Sequence, residues 1–268
     1  MVTGLAHDRT GDGTPLVLVH PLGGDRGVWR PVLPFLAEHH DCIAVDMPGF
    51  GESPELPDET RATAREIAAT IAATLDGLEI ERAHIAGISL GGWVALEFAK
   101  TERCHSVTAL CAAGFWRRKL GPRPEIARKT ARRLLPVLRP LLSTKRGRRL
   151  ALGGPLARPE NVPPADAYRL IRAYARSPGF DRANHEMRSA LFEGFEQIHV
   201  PVTLAWADRD RSVHPPDHVP PSVHTEVLRD CGHVPTWDDP GRVAEVILRT
   251  TARAVTQSPS RWEAARDS

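Results

Sequence analysis

Short apolar runs alternate along the chain with longer stretches in which apolar residues recur at helical spacing. The runs lie at residues 15–19, 42–45, 83–88, 107–112, 202–207 and 225–228. The helical patterns lie at residues 27–38, 60–77, 90–101 and 240–254. Continuous apolar runs are typical of strands buried on both faces, and their alternation with helices predicts a mostly parallel sheet. We therefore predict an α/β fold with helices on both faces of a central sheet.

Two parts of the chain depart from this alternation. Residues 5–13, ahead of the first run, are predicted to form one arm of a hairpin. In the centre, the runs at 107–112 and 202–207 lie much farther apart than one crossover helix requires. We predict a core formed by residues 1–113 and 199–255, an insertion over residues 114–198, and a flexible tail at 256–268.

The sequence that begins at Gly87 reads Gly-Ile-Ser-Leu-Gly-Gly and completes the apolar run 83–88. It places Ser89 on a sharp turn from a strand to a helix, and the N–H groups of that helix point at the serine. Such a turn usually costs roughly 1–3 kcal/mol of backbone strain, which suggests a task for the hydroxyl. The alternative interpretation is a glycine-rich turn without a chemical role.

A serine nucleophile requires a base and a carboxylate that orients it. Asp208 and Asp210 follow the run at 202–207, and His233 follows the run at 225–228. Upstream, the first run leads into His20-Pro21-Leu22-Gly23-Gly24, and the second into Asp46-Met47-Pro48-Gly49-Phe50-Gly51-Glu52-Ser53. With these four motifs in this order, the chain resembles the α/β-hydrolase superfamily, in particular serine hydrolases with a nucleophile elbow and a helical cap.

The resemblance implies a role for each matching residue. Ser89 is expected to be the nucleophile, Asp210 the acid and His233 the base, with Asp208 as the competitor for the acid. The backbone N–H groups of Leu22 and Leu90 are expected to form the oxyanion hole. The insertion 114–198 is expected to be a helical cap. The reaction implied is hydrolysis of a carboxylic ester, lactone or related acyl substrate through an acyl-enzyme.

The same three residues are compatible with other activities, because a fold and a triad do not fix the reaction. Acyl transfer, carbon–carbon bond hydrolysis and cofactor-free perhydrolase or haloperoxidase chemistry are the alternatives, and a non-enzymatic small-molecule binding module is a remote one. Aromatic residues near the motifs are expected to line an apolar pocket: Trp93, Phe115, Trp116 and Trp206. We predict no cofactor and no metal, and the pattern indicates neither the substrate nor the oligomeric state.

Composition narrows the possible partners and location. The 268 residues are 41% hydrophobic and 25% charged, with a formal net charge of +2, which is ordinary for a globular protein. No nucleic-acid partner is predicted. No apolar stretch follows a basic N-terminal region, and no run approaches the roughly 18–20 apolar residues of a membrane span. The expected location is the cytoplasm.

Residues 117–149 carry an unusual charge density. The segment holds Lys or Arg at thirteen positions and one acid, Glu125. An amphipathic helix is predicted over residues 124–142, with a kink or break at Pro136 and Pro140. Its expected apolar stripe is Ile126, Thr130, Leu134, Leu138 and Leu141. The favoured interpretation packs this stripe on the core and leaves the arginines in water, and contact with a membrane surface or an anionic substrate is the weaker alternative.

Overall fold

One sheet organises the molecule. A computed structural model describes residues 4–121 and 126–257, and within them seven strands are hydrogen-bonded in the order β1-β3-β2-β4-β5-β6-β7. The strands are β1 (His7–Thr10), β2 (Thr14–Val19), β3 (His40–Val45), β4 (Ala83–Ile88), β5 (Cys104–Leu110), β6 (Val202–Ala207) and β7 (Val223–Leu228). All neighbouring pairs are parallel except β1 and β3. The predicted α/β fold with a mostly parallel sheet is confirmed.

The first strand corrects the hairpin prediction for residues 5–13. β1 pairs antiparallel with β3, placing His7 opposite Val45, and has no pairing with its neighbour in sequence, β2. Gly11 and Gly13 take φ values of +89° and +112°, a backbone region that favours glycine. A Cβ on Gly11 would lie 2.8 Å from the Cα of Ala37. Between β1 and β2, the chain therefore passes close to residues 37–40, which lead into β3.

Helices cover both faces of the sheet. They are α1 (Leu33–Leu36), α2 (Ala64–Gly77), α3 (Leu90–Phe98), α4 (Ile126–Leu134), α5 (Leu138–Ser143), α6 (Lys145–Leu152), α7 (Pro164–Arg176), α8 (Phe180–Ser189) and α9 (Pro240–Gln257). Short 3₁₀ helices lie at Arg26–Trp29, Leu135–Val137, Pro159–Asn161, Phe195–Gln197 and Pro235–Trp237. Side chains of α2 and α3 pack on one face with Val17 and Val19, and those of α1 and α9 pack on the other with Leu16 and Leu18.

The predicted helix over 27–38 is wrong. The chain forms the 3₁₀ turn Arg26–Trp29 and the single turn α1 instead. Pro31 and Pro34 lack the N–H that a continuous helix needs, and a proline disfavours the helical conformation of the residue before it. The other three helices are present with shifted ends. In α2, for example, the Thr63 hydroxyl accepts the Glu66 N–H at 3.2 Å and fixes the start at Ala64.

Helices α4 to α8 lie between β5 and β6 in the sequence, within the predicted cap 114–198. Specific contacts tie this region to the core. Arg169 on α7 contacts the Asp25 carboxylate at 2.7 Å, and Arg182 on α8 donates to the Leu56 carbonyl at 2.8 Å. The exact domain boundaries stay a prediction. Of the predicted tail 256–268, residues 256 and 257 belong to α9, and the rest lie outside the described residues.

The basic helix breaks where the prolines predict, but its buried face differs from the predicted stripe. α4 ends at Leu134, a 3₁₀ turn contains Pro136, and α5 begins at Leu138. Leu135, Leu138 and Leu142 are buried. Leu134 and Leu141 are 46% and 40% exposed, so the prediction is wrong for both. A 3₁₀ turn has 3.0 residues per turn instead of 3.6, so it rotates the following residues away from an ideal helical stripe.

The remaining members of that stripe are not packed as predicted either. Thr130 is exposed, the side chain of Ile126 is not described, and Pro124 lies outside the described residues.

Among the helices of the described chain, none combines the length and the apolar character needed to cross a bilayer.

Candidate active site

Ser89 occupies the turn between β4 and α3 in a backbone conformation that few residues adopt. Its φ and ψ are 56° and −117°. Three backbone hydrogen bonds hold it there. The Ser89 N–H donates to Leu110 O at 2.9 Å, and the Ser89 carbonyl accepts from the N–H groups of Trp93 at 3.1 Å and Ala113 at 3.0 Å. Because these hydrogen bonds come from the end of β5, the segment after it and α3, the strained turn holds the backbone of Ser89 in one conformation.

The glycines around Ser89 permit close approach of backbone to backbone. A Cβ on Gly87 would lie 2.7 Å from the backbone nitrogen of Gly92, and a Cβ on Gly91 would lie 2.8 Å from the carbonyl carbon of Val19. Neither neighbour is a flexible side chain. The first turn of α3 can therefore sit directly against β2 and β4 only when these two positions lack a side chain.

Asp210 and His233 meet at the carboxyl ends of β6 and β7. Oδ2 of Asp210 lies 2.7 Å from Nδ1 of His233. Oδ1 accepts the backbone N–H groups of Ser212 at 2.7 Å and Val213 at 3.2 Å. A carboxylate only accepts, so Nδ1 of His233 carries a proton, and in the singly protonated tautomer Nε2 is the acceptor nitrogen.

The electrostatics of Asp210 suit a carboxylate that stays charged. Its side chain is 2% exposed. Burial acts to raise the pKa of Asp210, but the hydrogen bond and charge of His233, together with the Ser212 and Val213 N–H groups, lower this pKa below its ordinary value. The competitor Asp208 is exposed, and its backbone N–H donates to Leu228 O. The structure thus brings Asp210, and not Asp208, against His233.

A cavity of about 870 Å³ lies between the cap helices and the carboxyl edge of the sheet. Ser89, His233 and Leu22 line it together. Leu90 is the first residue of α3, a position whose N–H has no partner within a helix. Among the described residues, the Leu22 N–H donates no hydrogen bond within the protein. The N–H groups of both predicted oxyanion donors are therefore without a backbone partner in the described part of the chain.

His20 braces the loop that carries Leu22. The Met47 N–H donates to Nε2 of His20 at 2.9 Å, and Nδ1 lies 2.8 Å from the Pro21 carbonyl. Both ring nitrogens are therefore used when Nδ1 carries the single proton. Burial lowers the pKa of His20, which favours a neutral ring that holds the loop by hydrogen bonds.

Trp116 lines the cavity, but the other three predicted lining residues do not. Trp93 and Trp206 are each 5% exposed in the core. Phe115 packs against Phe195 with ring centroids 5.8 Å apart and nearly parallel planes. The reason is the turn after β5, where Gly114 takes a φ of +96° and covers Trp93, since a Cβ there would lie 2.9 Å from the indole.

The aromatic wall comes from the cap instead. Tyr174 and Phe180 line the cavity and lie over Gly23, where a Cβ would come within 2.8 Å and 3.1 Å of their rings. Sequence reasoning missed both residues, because they lie on cap helices far from any motif. Gly23 has a φ of +78°. A glycine at this position is a local sign of the close packing by Tyr174 and Phe180.

Cys111 is a third residue near the site that the motifs did not indicate. Its Sγ, a carboxylate oxygen of Asp210 and a ring nitrogen of His233 all lie within 4.8 Å of one another. Burial and then the Asp210 charge raise the pKa of the Cys111 thiol well above its ordinary value. A thiol with a raised pKa favours the uncharged form, which suits packing beside the Asp210–His233 pair.

Comparison with known proteins agrees with this geometry. The model of the alpha/beta hydrolase family matches residues 16–246. The chain therefore belongs to the alpha/beta hydrolase family.

Two curated relatives and one solved structure illustrate the likeness. The chain is 30% identical over 242 residues to the dihydrolipoyllysine-residue acetyltransferase component of the acetoin cleaving system of Pseudomonas putida, covering 88% of this chain and 63% of the relative. It is 38% identical over 108 residues to a pimeloyl-[acyl-carrier protein] methyl ester esterase of Aeromonas hydrophila, covering 40% and 41%. A thermophilic esterase from Thermogutta terrifontis superposes with a TM-score of 0.67 at 22% identity, covering 93% of both chains.

The match to both curated relatives spans less than two thirds of their length, and the solved structure supports the fold alone.

Proposed function

We propose that this protein is a serine-dependent hydrolase of a carboxylic ester, lactone or related acyl substrate. The observation that carries the proposal is the hydrogen bond of 2.7 Å between Asp210 and His233, with His233 and the strained Ser89 on the wall of one cavity. Nδ1 of His233 is engaged by Asp210. Nε2 is therefore the ring nitrogen that can take the proton of the Ser89 hydroxyl.

In the first half of the proposed reaction, Oγ of Ser89 attacks the acyl carbon while its proton moves to Nε2 of His233. The negative charge of Asp210 stabilises the imidazolium. The oxyanion accepts hydrogen bonds from the N–H groups of Leu22 and Leu90. The bond to the leaving alcohol then breaks, and the alcohol receives the proton from Nε2. In the second half, water attacks the acyl-enzyme by the same proton transfers and releases the carboxylic acid.

The cavity walls favour an acyl group with substantial apolar surface. Leu152, Leu156 and Ile171 contribute aliphatic side chains, and Trp116, Tyr174 and Phe180 contribute rings. A volume of about 870 Å³ lies within the range of sites for drug-sized ligands. The ester named in one curated relative supports the same bond type.

Acyl transfer is the second candidate, because the relative that matches 88% of this chain is named as an acetyltransferase component. The acyl-enzyme would be the same in both reactions. The difference is whether water or an acceptor alcohol or thiol takes the acyl group, and nothing in the named contacts favours an acceptor.

Labelling with a fluorophosphonate probe tests the proposal. We expect the probe to modify Ser89, as located by peptide mapping. We expect Ser89→Ala to lower ester turnover by on the order of 10⁴-fold or more while circular dichroism stays unchanged, since triad residues act as a unit. Ser143→Ala, which removes an exposed hydroxyl on α5, is the matched control and should retain full activity.

Labelling of another residue, or activity of Ser89→Ala within tenfold of the wild type, would remove Ser89 from the mechanism. Absence of both labelling and turnover would favour the binding module. A panel of esters with and without an acceptor alcohol separates hydrolysis from acyl transfer by the product formed.

A further inference from the structure

Large apolar side chains are exposed on the most basic part of the cap. Leu134, Val137, Leu141 and Leu150 are 46%, 63%, 40% and 81% exposed. In the rest of the described chain, Phe35 and Val227 are the other large hydrophobic residues that are similarly exposed. Single exposed apolar residues are common on protein surfaces, whereas a group of them on one element marks an interaction site.

These four residues belong to one surface. Leu134, Val137 and Leu141 each directly precede a buried leucine of the α4–α5 segment, so they lie on the side that faces away from the core. The buried residues are Leu135, Leu138 and Leu142. Helix α6 packs against this segment at Gly147, where a Cβ would lie 3.0 Å from Cδ1 of Leu141. Leu150 lies one turn beyond Gly147 on the same helix. We refer to Leu134, Val137, Leu141 and Leu150 as the outer cap face.

Uncompensated positive charge flanks the outer cap face. Residues 126–152 contain no Asp or Glu. Other cations of this segment are engaged, as Arg149 is with Glu160 at 2.9 Å. Three exposed cations have no ion-pair or hydrogen-bond partner among the described residues: Arg132, Arg133 and Arg146. The outer cap face therefore combines apolar side chains with free cations.

We propose that the outer cap face docks on an anionic lipid surface. At such a surface, apolar side chains enter the boundary of the acyl chains while Lys and Arg contact the headgroup phosphates, so both kinds of residue gain favourable contacts. A nucleic acid would neutralise the cations but leave the four apolar side chains in water. A second copy packed across a two-fold axis would bring like charges together.

The position of the outer cap face connects docking to the cavity. Ala127 and Ala131 of α4 and Ala151 and Leu152 of α6 line the cavity, so the helices that carry the face also form the cavity wall. A docked cap would hold the cavity close to the lipid from which an apolar acyl substrate could enter. The docking does not depend on the proposed function, since vesicle binding is measured without turnover.

Co-sedimentation of the full chain with vesicles tests the inference. We expect binding to phosphatidylcholine vesicles that contain about 30 mol% phosphatidylglycerol, and none to pure phosphatidylcholine, because the attraction requires anionic headgroups. Binding should weaken as salt rises, since the screening length shrinks from about 10 Å at 0.1 M to about 3 Å at 1 M.

Two pairs of variants locate the contact. Arg132→Gln with Arg133→Gln should lower the partition coefficient by roughly tenfold or more, whereas the matched pair Arg65→Gln with Arg229→Gln, exposed cations outside the cap, should leave it unchanged. Leu134→Ser with Val137→Ser should also lower it severalfold, and Phe35→Ser with Val227→Ser is its control. All eight side chains are exposed, and thermal unfolding checks that each variant folds.

Loss of binding in both cap variants, with binding retained in both controls, supports the inference. It is overturned by equal binding to neutral vesicles, by no binding to either kind, or by equal losses in the controls. Binding of duplex DNA or of an acidic protein through these residues in place of vesicles, or self-association in ultracentrifugation that the cap variants abolish, would also overturn it. Ser89→Ala should bind vesicles like the wild type whether or not it hydrolyses esters.

Discussion

The carboxyl edge of the sheet and the outer part of the cap differ in whether their charged groups have partners within the protein. At the sheet edge, the Asp210 carboxylate accepts hydrogen bonds from the His233 ring and from two backbone N–H groups, and both nitrogens of His20 are used. On α4 to α6, exposed cations such as Arg132 and Arg146 lie on the same helices as exposed leucines, and residues 126–152 contain no Asp or Glu. Burial fixes geometry in the first region, and exposure leaves the second open to a partner.

The cap itself contains both kinds of packing. Helices α7 and α8 are tied to the core through Arg169 and Arg182 and supply Tyr174 and Phe180 to the cavity. Helices α4 to α6 bury one side and expose the other. The inner helices are thus suited to define the cavity, and the outer helices are suited to contact another surface. Substitutions should have very different effects in the two regions.

The largest effect is expected from Asp210→Asn at the sheet edge. The amide can donate to Nδ1 of His233 and so favour the wrong tautomer, which should lower ester turnover by on the order of 10⁴-fold. Asp208→Asn is the matched control, because Asp208 is exposed two residues away, and its turnover should change little. Steady-state kinetics with one neutral ester measures both variants.

A reversed ranking would assign the acid to Asp208. Similar losses from both variants would show that the loop after β6 responds as a unit to substitution, and the contrast between a fixed edge and a tolerant surface would then fail at this loop.

Within the cap, Leu135 and Leu134 are adjacent residues on opposite sides of the packing boundary. Leu135 is 2% exposed and Leu134 is 46% exposed. Leu135→Ala should lower the free energy of unfolding by about 2–5 kcal/mol, as expected for a buried leucine. Leu134→Ala should change it by no more than about 0.5 kcal/mol. Urea unfolding measures both, and equal losses would restore the predicted stripe that includes Leu134.

The sequence was informative where the fold leaves few choices. The resemblance to the α/β-hydrolase motifs named Ser89, Asp210 and His233 together. Parallel strands end at one edge of the sheet, so residues that follow β4, β6 and β7 are expected to lie near one another there. Their catalytic roles stay a prediction.

Prediction failed where the answer depends on local rotation or on distant packing. The 3₁₀ turn at Pro136 breaks the helical register between Leu134 and Leu141, both of which are exposed, and periodicity alone does not reveal such a turn. The direction of Phe115 depends on the φ of Gly114. Cys111 resembled any buried strand residue, because its neighbours Asp210 and His233 come from much later in the chain.

After Asp210→Asn and Leu135→Ala, the smallest expected effect concerns backbone packing beneath the β4–α3 turn that carries Ser89. Gly91→Ala would place a methyl group 2.5 Å from the His20 carbonyl oxygen and 2.8 Å from the Val19 carbonyl carbon. Val19 ends β2 and His20 begins the loop that carries Leu22. Because these are backbone atoms and not flexible side chains, the first turn of α3 must move. We expect the free energy of unfolding to fall by about 1–3 kcal/mol, as for other overpacked sites.

Gly77→Ala is the control for that substitution. Gly77 ends α2, and a Cβ there meets nothing within 4 Å, so this variant should be neutral or more stable by up to about 1 kcal/mol, because alanine restricts the unfolded chain. Since the shift in Gly91→Ala also moves Ser89, ester turnover should fall with stability in that variant alone. If Gly91→Ala unfolds and reacts like Gly77→Ala, the sheet edge is as tolerant as the outer cap, and the distinction between the two regions is lost.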